Sequence, residues 1–208
     1  MESLGIDTDV LLRRVAEGDS GAIDPLLTRH RAKLQRMVRV HLDDRLAARV
    51  DSSDIVQETL TEASQKIGHY ARDRPIAFYP WLRQIAWQRL RKIHEYHFAQ
   101  KRTVMRERRR DPEISTSSLL QLVERFGGTS SSPSEQAARN ERNARLRDLL
   151  HKLSSRDQEV LVLRYLEQLS PSECGQVLGI CHEAFKKRHL RAVQRLRNLL
   201  ESLSRDLP

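Results

Sequence analysis

At 208 residues with only 5% aromatic side chains, the chain is long for one small helical core, comfortable as two, and poorly supplied for a β-sandwich. Its net charge of +9 and pI near 10.1 predict attraction to a polyanion, with nucleic acid the first candidate. A membrane span and a disulfide framework are excluded: no apolar run approaches the roughly 20 residues a bilayer needs, and Cys174 and Cys181 are too few and suit a reducing cytoplasm.

The start, MESLGIDTDV, lacks the basic-then-apolar pattern of a secretory signal, so a cytoplasmic protein is expected. Residues 10–17 predict a first helix on Leu11, Leu12, Val15 and Ala16, ended by Gly18. Residues 23–40 repeat Ile23, Leu26, Leu27, Leu34, Met37 and Val38 at helical spacing. The DSSD run at 51–54 opens a third helix with Val56, Leu60, Ala63 and Ile67 on one stripe. Residues 68–80, with Gly68, Pro75 and Pro80, read as a loop carrying Tyr70, Phe78 and Tyr79. A fourth helix, 81 to about 99, buries Leu82, Ile85, Ala86, Leu90, Ile93 and His97. It runs into KRTVMRERRR at 101–110, with six basic residues and one acidic.

Residues 115–139 form a linker whose centre, GGTSSSPS, cannot bury enough apolar surface to offset its chain entropy. An apolar piece at 119–126 is a docking turn or short helix. The expected organisation is all-α, with a helical bundle at 1–110, a flexible linker at 111–140 and a second helical domain at 141–208. In that second domain Ser154 or Ser155 caps a helix carrying Val160, Leu161, Leu163, Tyr165 and Leu166. The SPSE run at 170–173 is a capping box with Pro at the first helical position. Its short helix holds Cys174, Val177 and Leu178 inward and breaks at Gly179. A long helix follows from His182 to about Leu203, with Cys181 at the cap, which completes a helix-turn-helix.

On this last helix Phe185, Ala192, Val193, Leu196, Leu199 and Leu200 share a face. Lys186, Lys187, Arg188, Arg191, Arg195 and Arg197 lie largely on the other, against only Glu183 and Glu201. Major-groove reading needs this arrangement: the apolar stripe anchors the helix while Arg and Lys reach base edges and phosphates. His189 projects toward the apolar face as a core histidine. Leu190 projects outward, to touch a thymine methyl or a polymerase, or simply to be exposed. In the third helix Asp54, Gln57, Glu58 and Thr61 form an acidic strip suited to a basic protein surface, although acids near a helix N-terminus also favour the macrodipole. In the fourth, aromatics alternate with Arg83, Gln84, Gln88 and Arg91, a pattern that can stack on unpaired bases. Trp81 fits the core better; Trp87, on the polar side, is the stacking candidate.

Together these residues resemble the extracytoplasmic-function group of sigma-70-type RNA polymerase sigma factors. DSSDIVQETL at 51–60 is similar to the group's polymerase-docking signature, and FYPWLRQIA at 78–86 to its promoter-melting segment. LSSRDQEVLVLRY at 153–165, with the helix-turn-helix through Lys186, Lys187 and Arg188, is similar to its second conserved region. The resemblance implies a region-2-like bundle and a region-4-like helix-turn-helix domain, with core RNA polymerase and promoter DNA as partners. It also admits an anti-sigma factor. Asp54, Gln57 and Glu58 would meet core polymerase. Tyr70, Arg83, Trp87, Gln88 and Arg91 would meet the −10 element. Arg164, Lys186, Lys187, Arg188, Arg191 and Arg195 would meet the −35 element. Trp87, Gln88, Lys92, Cys181 and the order His189-Leu190 depart from the group's usual residues, which bears on promoter sequence more than on function.

A lone helix-turn-helix regulator acting without polymerase is the rival reading; it leaves the acidic strip and the aromatic segment without a task. Catalysis is not expected. HEYH at 94–97 offers two histidines one turn apart, and Cys174, Cys181 and His182 are close in sequence, but no third or fourth zinc ligand has sensible spacing. No phosphate-cradling Gly-rich loop or nucleophile elbow is present. No metal and no cofactor are therefore expected.

Overall fold

The computed structural model describes residues 7–99, 117–118, 121–122 and 152–205, and every element among them is helical. The basic run at 101–110 and the Gly/Ser/Pro-rich centre of the linker lie outside the described residues. Of the apolar piece at 119–126, only residues 121–122 are described, with Leu122 buried. Two compact units divide the chain, Met1–Glu113 and Ile114–Pro208.

The first unit contains α1 (Thr8–Ala16), α2 (Ile23–His41), a single turn α3 (Asp44–Ala47), α4 (Ser52–Asp73) and α5 (Phe78–Ala99). The 3₁₀ turn Ser20–Ala22 and α3 were not expected; Asp19 and Asp43 cap them by accepting hydrogen bonds from the Gly21 and Arg45 N–H groups. Gly18 ends α1 at φ +93, a backbone that few side chains tolerate. The apolar stripes converge on one core: Leu11 and Leu12 from α1, Leu26, Leu34 and Met37 from α2, Val56, Ala63 and Ile67 from α4, and Leu82, Ala86 and Leu90 from α5. Each buried Leu, Ile or Met contributes about 2 kcal/mol.

The expected loop at 68–80 is largely helix. α4 runs through Gly68 to Asp73, because Tyr70 and Ala71 extend its buried stripe past Ile67, and that burial outweighs the roughly 1 kcal/mol a helical Gly costs. Arg74 ends it in the left-handed region, donating its N–H to the Tyr70 carbonyl. α5 begins at Phe78 rather than Trp81, which places Pro80 in the first turn, where no helical acceptor is needed for its missing N–H. The Tyr70 hydroxyl donates to the Ile76 carbonyl (2.8 Å) and so closes the turn.

The second unit contains α6 (Ser155–Leu161), widening into a π-helical turn at Val162–Leu166, then α7 (Pro171–Leu178) and α8 (His182–Arg205). Ser154 caps α6 by accepting from the Asp157 N–H. The capping box at Ser170 and Glu173 forms in full, and Gly179 ends α7 at φ +65. The Phe185 N–H reaches the Cys181 carbonyl (3.0 Å), so Cys181 occupies the cap of α8. Phe185, Ala192 and Leu196 bury the apolar face of α8, while Cys174 and Gly175 bury α7.

Candidate functional site

α8 follows α7 through a three-residue turn, and the turn depends on Gly175. A Cβ there would lie 2.8 Å from the Ile180 carbonyl oxygen, while the Ile180 N–H donates to the Gly175 carbonyl. Sequence reading missed Gly175 because a glycine inside a short helix is usually only tolerated; here the turn packs onto its bare backbone.

The basic residues of α8 fall in two rows, exposed except for the half-buried Arg188. Lys186 pairs with Glu183 (3.0 Å), whose carboxyl this hydrogen bond holds below its ordinary range. Leu190, 66% exposed, shares this outward row. Lys187, Arg188, Arg191 and Arg195 face the start of α6 and, with Arg156, Asp157, Ser154 and Ala184, line a groove of about 530 Å³. Arg156 lies in the LSSRDQEVLVLRY segment, ahead of the helix-turn-helix. Arg195 donates to the buried Asp157 carboxylate at 2.7 Å while 59% of its side chain stays exposed. Beside the DNA-facing place expected of it, Arg195 thus also ties α6 to α8.

Arg164 sits on the π-helical turn, half-buried, and donates to the Leu169 carbonyl (3.0 Å). His189 is half-buried, stacks on Phe185 and shares a 3.0 Å hydrogen bond with the Tyr165 hydroxyl. Burial, and secondarily Arg164, push its pKa below the usual histidine range, so the neutral ring is favoured.

In the first unit Asp54, Gln57 and Glu58 are exposed on α4, and two other helices reach them. Arg31 of α2 donates to the Gln57 side-chain oxygen (2.9 Å), and Arg89 of α5 pairs with Glu58 and, at 3.1 Å, with Glu62. Lys66, and then Arg89, hold the Glu62 carboxyl below its ordinary range. Sequence reading found the acidic strip but not the arginines, which lie 26 and 31 residues from their partners.

The residues expected to meet −10 DNA separate. Tyr70 is a correction: 4% exposed, with its ring stacked on Trp81 (4.3 Å) and burial pushing its phenol up to about 12, it belongs to the core. Trp87 is half-buried, packs against the core edge-on to His41 (4.7 Å) and carries the Arg83 guanidinium over its ring at 5.1 Å. One side of that indole is therefore committed to packing, where the sequence placed it on the polar face. Gln88 and Arg91 are exposed, Arg91 beside Glu95 at 3.9 Å.

Among the described residues no group of three or more His, Cys, Asp or Glu is placed to hold a metal, and no helix is long and apolar enough to cross a membrane. The His97 side chain lies outside the described ones.

The first unit is thus a helical bundle with a cation-bridged acidic strip, and the second holds a helix-turn-helix with a basic groove. Residues 149–198 match the family model "Sigma-70, region 4". RNA polymerase sigma factor CnrH of Cupriavidus metallidurans is 26% identical across 93% of this chain and 94% of its own length. ECF RNA polymerase sigma factor BldN of Streptomyces coelicolor is 28% identical across 91% of this chain and 64% of its own. The solved structure of CnrH in complex with the cytosolic domain of CnrY superposes with a TM-score of 0.52 at 25% identity, covering 94% of this chain and 99% of that one. Over most of its length the chain is thus similar to RNA polymerase sigma factors, among them ones of the extracytoplasmic-function group.

Proposed function

We propose that this chain binds core RNA polymerase and directs it to promoters as a sigma factor, catalysing nothing itself and acting in the cytoplasm where transcription takes place. The observation that carries the reading is the pairing, in one chain, of an exposed α4 strip with a helix-turn-helix whose α8 presents Lys187 and Arg191 to solvent, with Arg188 half-buried between them, on an anchored face. Neither surface alone requires a polymerase; together they supply a docking face and a DNA-reading face.

In this reading residues 1–110 dock polymerase through Asp54, Gln57 and Glu58 and handle the −10 element through Arg83, Trp87, Gln88 and Arg91. Residues 141–208 handle the −35 element through Arg164, Lys186, Lys187, Arg188 and Arg191, and residues 111–140 join the two. Arg83 already covers one face of Trp87, so a base would stack as a third layer on guanidinium or on the remaining indole edge. CnrH is known in complex with the cytosolic domain of CnrY; by analogy this chain takes an anti-sigma polypeptide.

The test is co-elution of the purified chain with core RNA polymerase, followed by transcription from a genomic fragment library. Stable co-elution with new, discrete start sites supports the reading. Salt-sensitive duplex binding without polymerase binding would make the chain a helix-turn-helix regulator instead.

A further inference from the structure

The groove between α6 and α8 contains cations with unusual freedom. Elsewhere the basic side chains are often engaged: Arg14 with Asp19, Lys66 with Glu62, Arg89 with Glu58 and Glu62, Lys186 with Glu183. Around the groove Arg156, Lys187, Arg188 and Arg191 have no hydrogen bond or ion pair among the described residues. Four like charges around one concavity repel one another, and a polyanion relieves that repulsion. Asp157 does not neutralise them, because its carboxylate is already held by Arg195 and by the Ser154 hydroxyl, each at 2.7 Å.

The shape selects the kind of anion. Lys187, Arg191 and Arg195 recur every four residues, so they form a row with about 6 Å between neighbours and about 12 Å in all. A single phosphate would engage one or two of them. A run of successive phosphodiesters engages the row and, across the groove, Arg156.

We infer that the α6–α8 groove is a clamp for the sugar-phosphate backbone of one DNA strand, and that Arg156, outside the helix-turn-helix, is its opposing jaw. This rests on the reading of the second unit as a promoter-binding domain and adds a contact that holds the duplex without reading its sequence. Asp157 is a positioning residue, because it fixes the end of the cation row against α6.

The experiment measures promoter-complex formation by the full chain assembled with core RNA polymerase, over a salt series, for wild type, Arg156→Ala and Arg156→Lys. The same series is run on DNA with a scrambled −35 element and with inorganic tripolyphosphate as competitor. Arg156→Ala should weaken binding about tenfold on both DNAs and reduce the salt slope by about one unit, as loss of a single phosphate contact does. Arg156→Lys should keep the slope, and thermal unfolding should be unchanged for both variants. An unchanged slope, a loss confined to the promoter sequence, or a loss confined to tripolyphosphate competition would overturn the inference. Failure of the wild type to bind polymerase would instead sink the sigma reading, and the groove would then be decided by the same slope on duplex DNA alone.

Discussion

Arg195 of α8 and Asp157 of α6 meet at 2.7 Å across 38 residues of sequence, with the aspartate side chain 6% exposed and the arginine side chain mostly in water. The asymmetry matters. The arginine end is hydrated and loses little by release, whereas among the described residues the carboxylate has Arg195 and the Ser154 hydroxyl to replace its lost water.

Arg195→Ala should therefore destabilise the second unit by about 2 kcal/mol, the usual cost of leaving a buried charged acceptor short of a donor. Asp157→Ala should cost a similar amount, and the double variant less than the sum. Urea unfolding of the full chain measures this. An unaffected Arg195→Ala midpoint would return that residue to a purely DNA-facing role.

Reversing Lys187 and Arg191 to Glu places negative charge on two exposed groove positions. Promoter selection should be abolished while polymerase co-elution persists. Equal loss of both would mean that the two tasks are not divided between the units.

Asp54→Ala combined with Gln57→Ala removes two exposed groups from α4 and frees Arg31 from its hydrogen bond with Gln57. The fold should survive, since neither residue is buried. Affinity for core polymerase should fall severalfold in competition against wild type. Undiminished competition would count against this strip as the docking surface.

Gly175→Ala sets a methyl 2.8 Å from the Ile180 carbonyl oxygen, a backbone atom that cannot swing aside. Alanine's better helix propensity, about 1 kcal/mol, offsets only part of an overpacking cost of about 1–3 kcal/mol. The variant should unfold at lower urea and bind promoter DNA more weakly, because the turn that aims α8 has shifted. A gain in stability would show that the turn accommodates the methyl.

His189 has its pKa lowered chiefly by burial, so the native state disfavours the protonated ring. The sign follows: its contribution to stability is present above the ordinary histidine pKa of about 6.5 and is lost as pH falls through the depressed native value. The urea midpoint of wild type should drop across that acid window, and His189→Gln should flatten the drop. Parallel pH profiles for the two proteins would exclude His189 as the source.

The sequence by itself determined the elements that local chemistry specifies. The helical periods, the SPSE capping box, Gly18 and Gly179 as stops, and the basic and apolar faces of α8 are each set by residues within a turn or two of one another. The same locality made the acidic strip and the inward His189 legible. Where local signals conflicted, the sequence misled. Gly68 and Pro80 read as loop formers, yet α4 passes through one and α5 begins just before the other, because burial of Tyr70, Phe78 and Tyr79 outweighs a glycine's propensity cost and a first-turn proline costs little. That same burial removed Tyr70 from the DNA-facing set. Only the tertiary structure decided which charges are engaged and which are free. Arg89 with Glu58, Arg31 with Gln57 and Arg195 with Asp157 are separated by 31, 26 and 38 residues. Their pairing depends on how helices cross, which no single stretch of sequence encodes. The groove that joins Arg156 to Lys187, Arg188 and Arg191 exists for the same reason: electrostatic partners are fixed by distance in space, and the fold sets that distance.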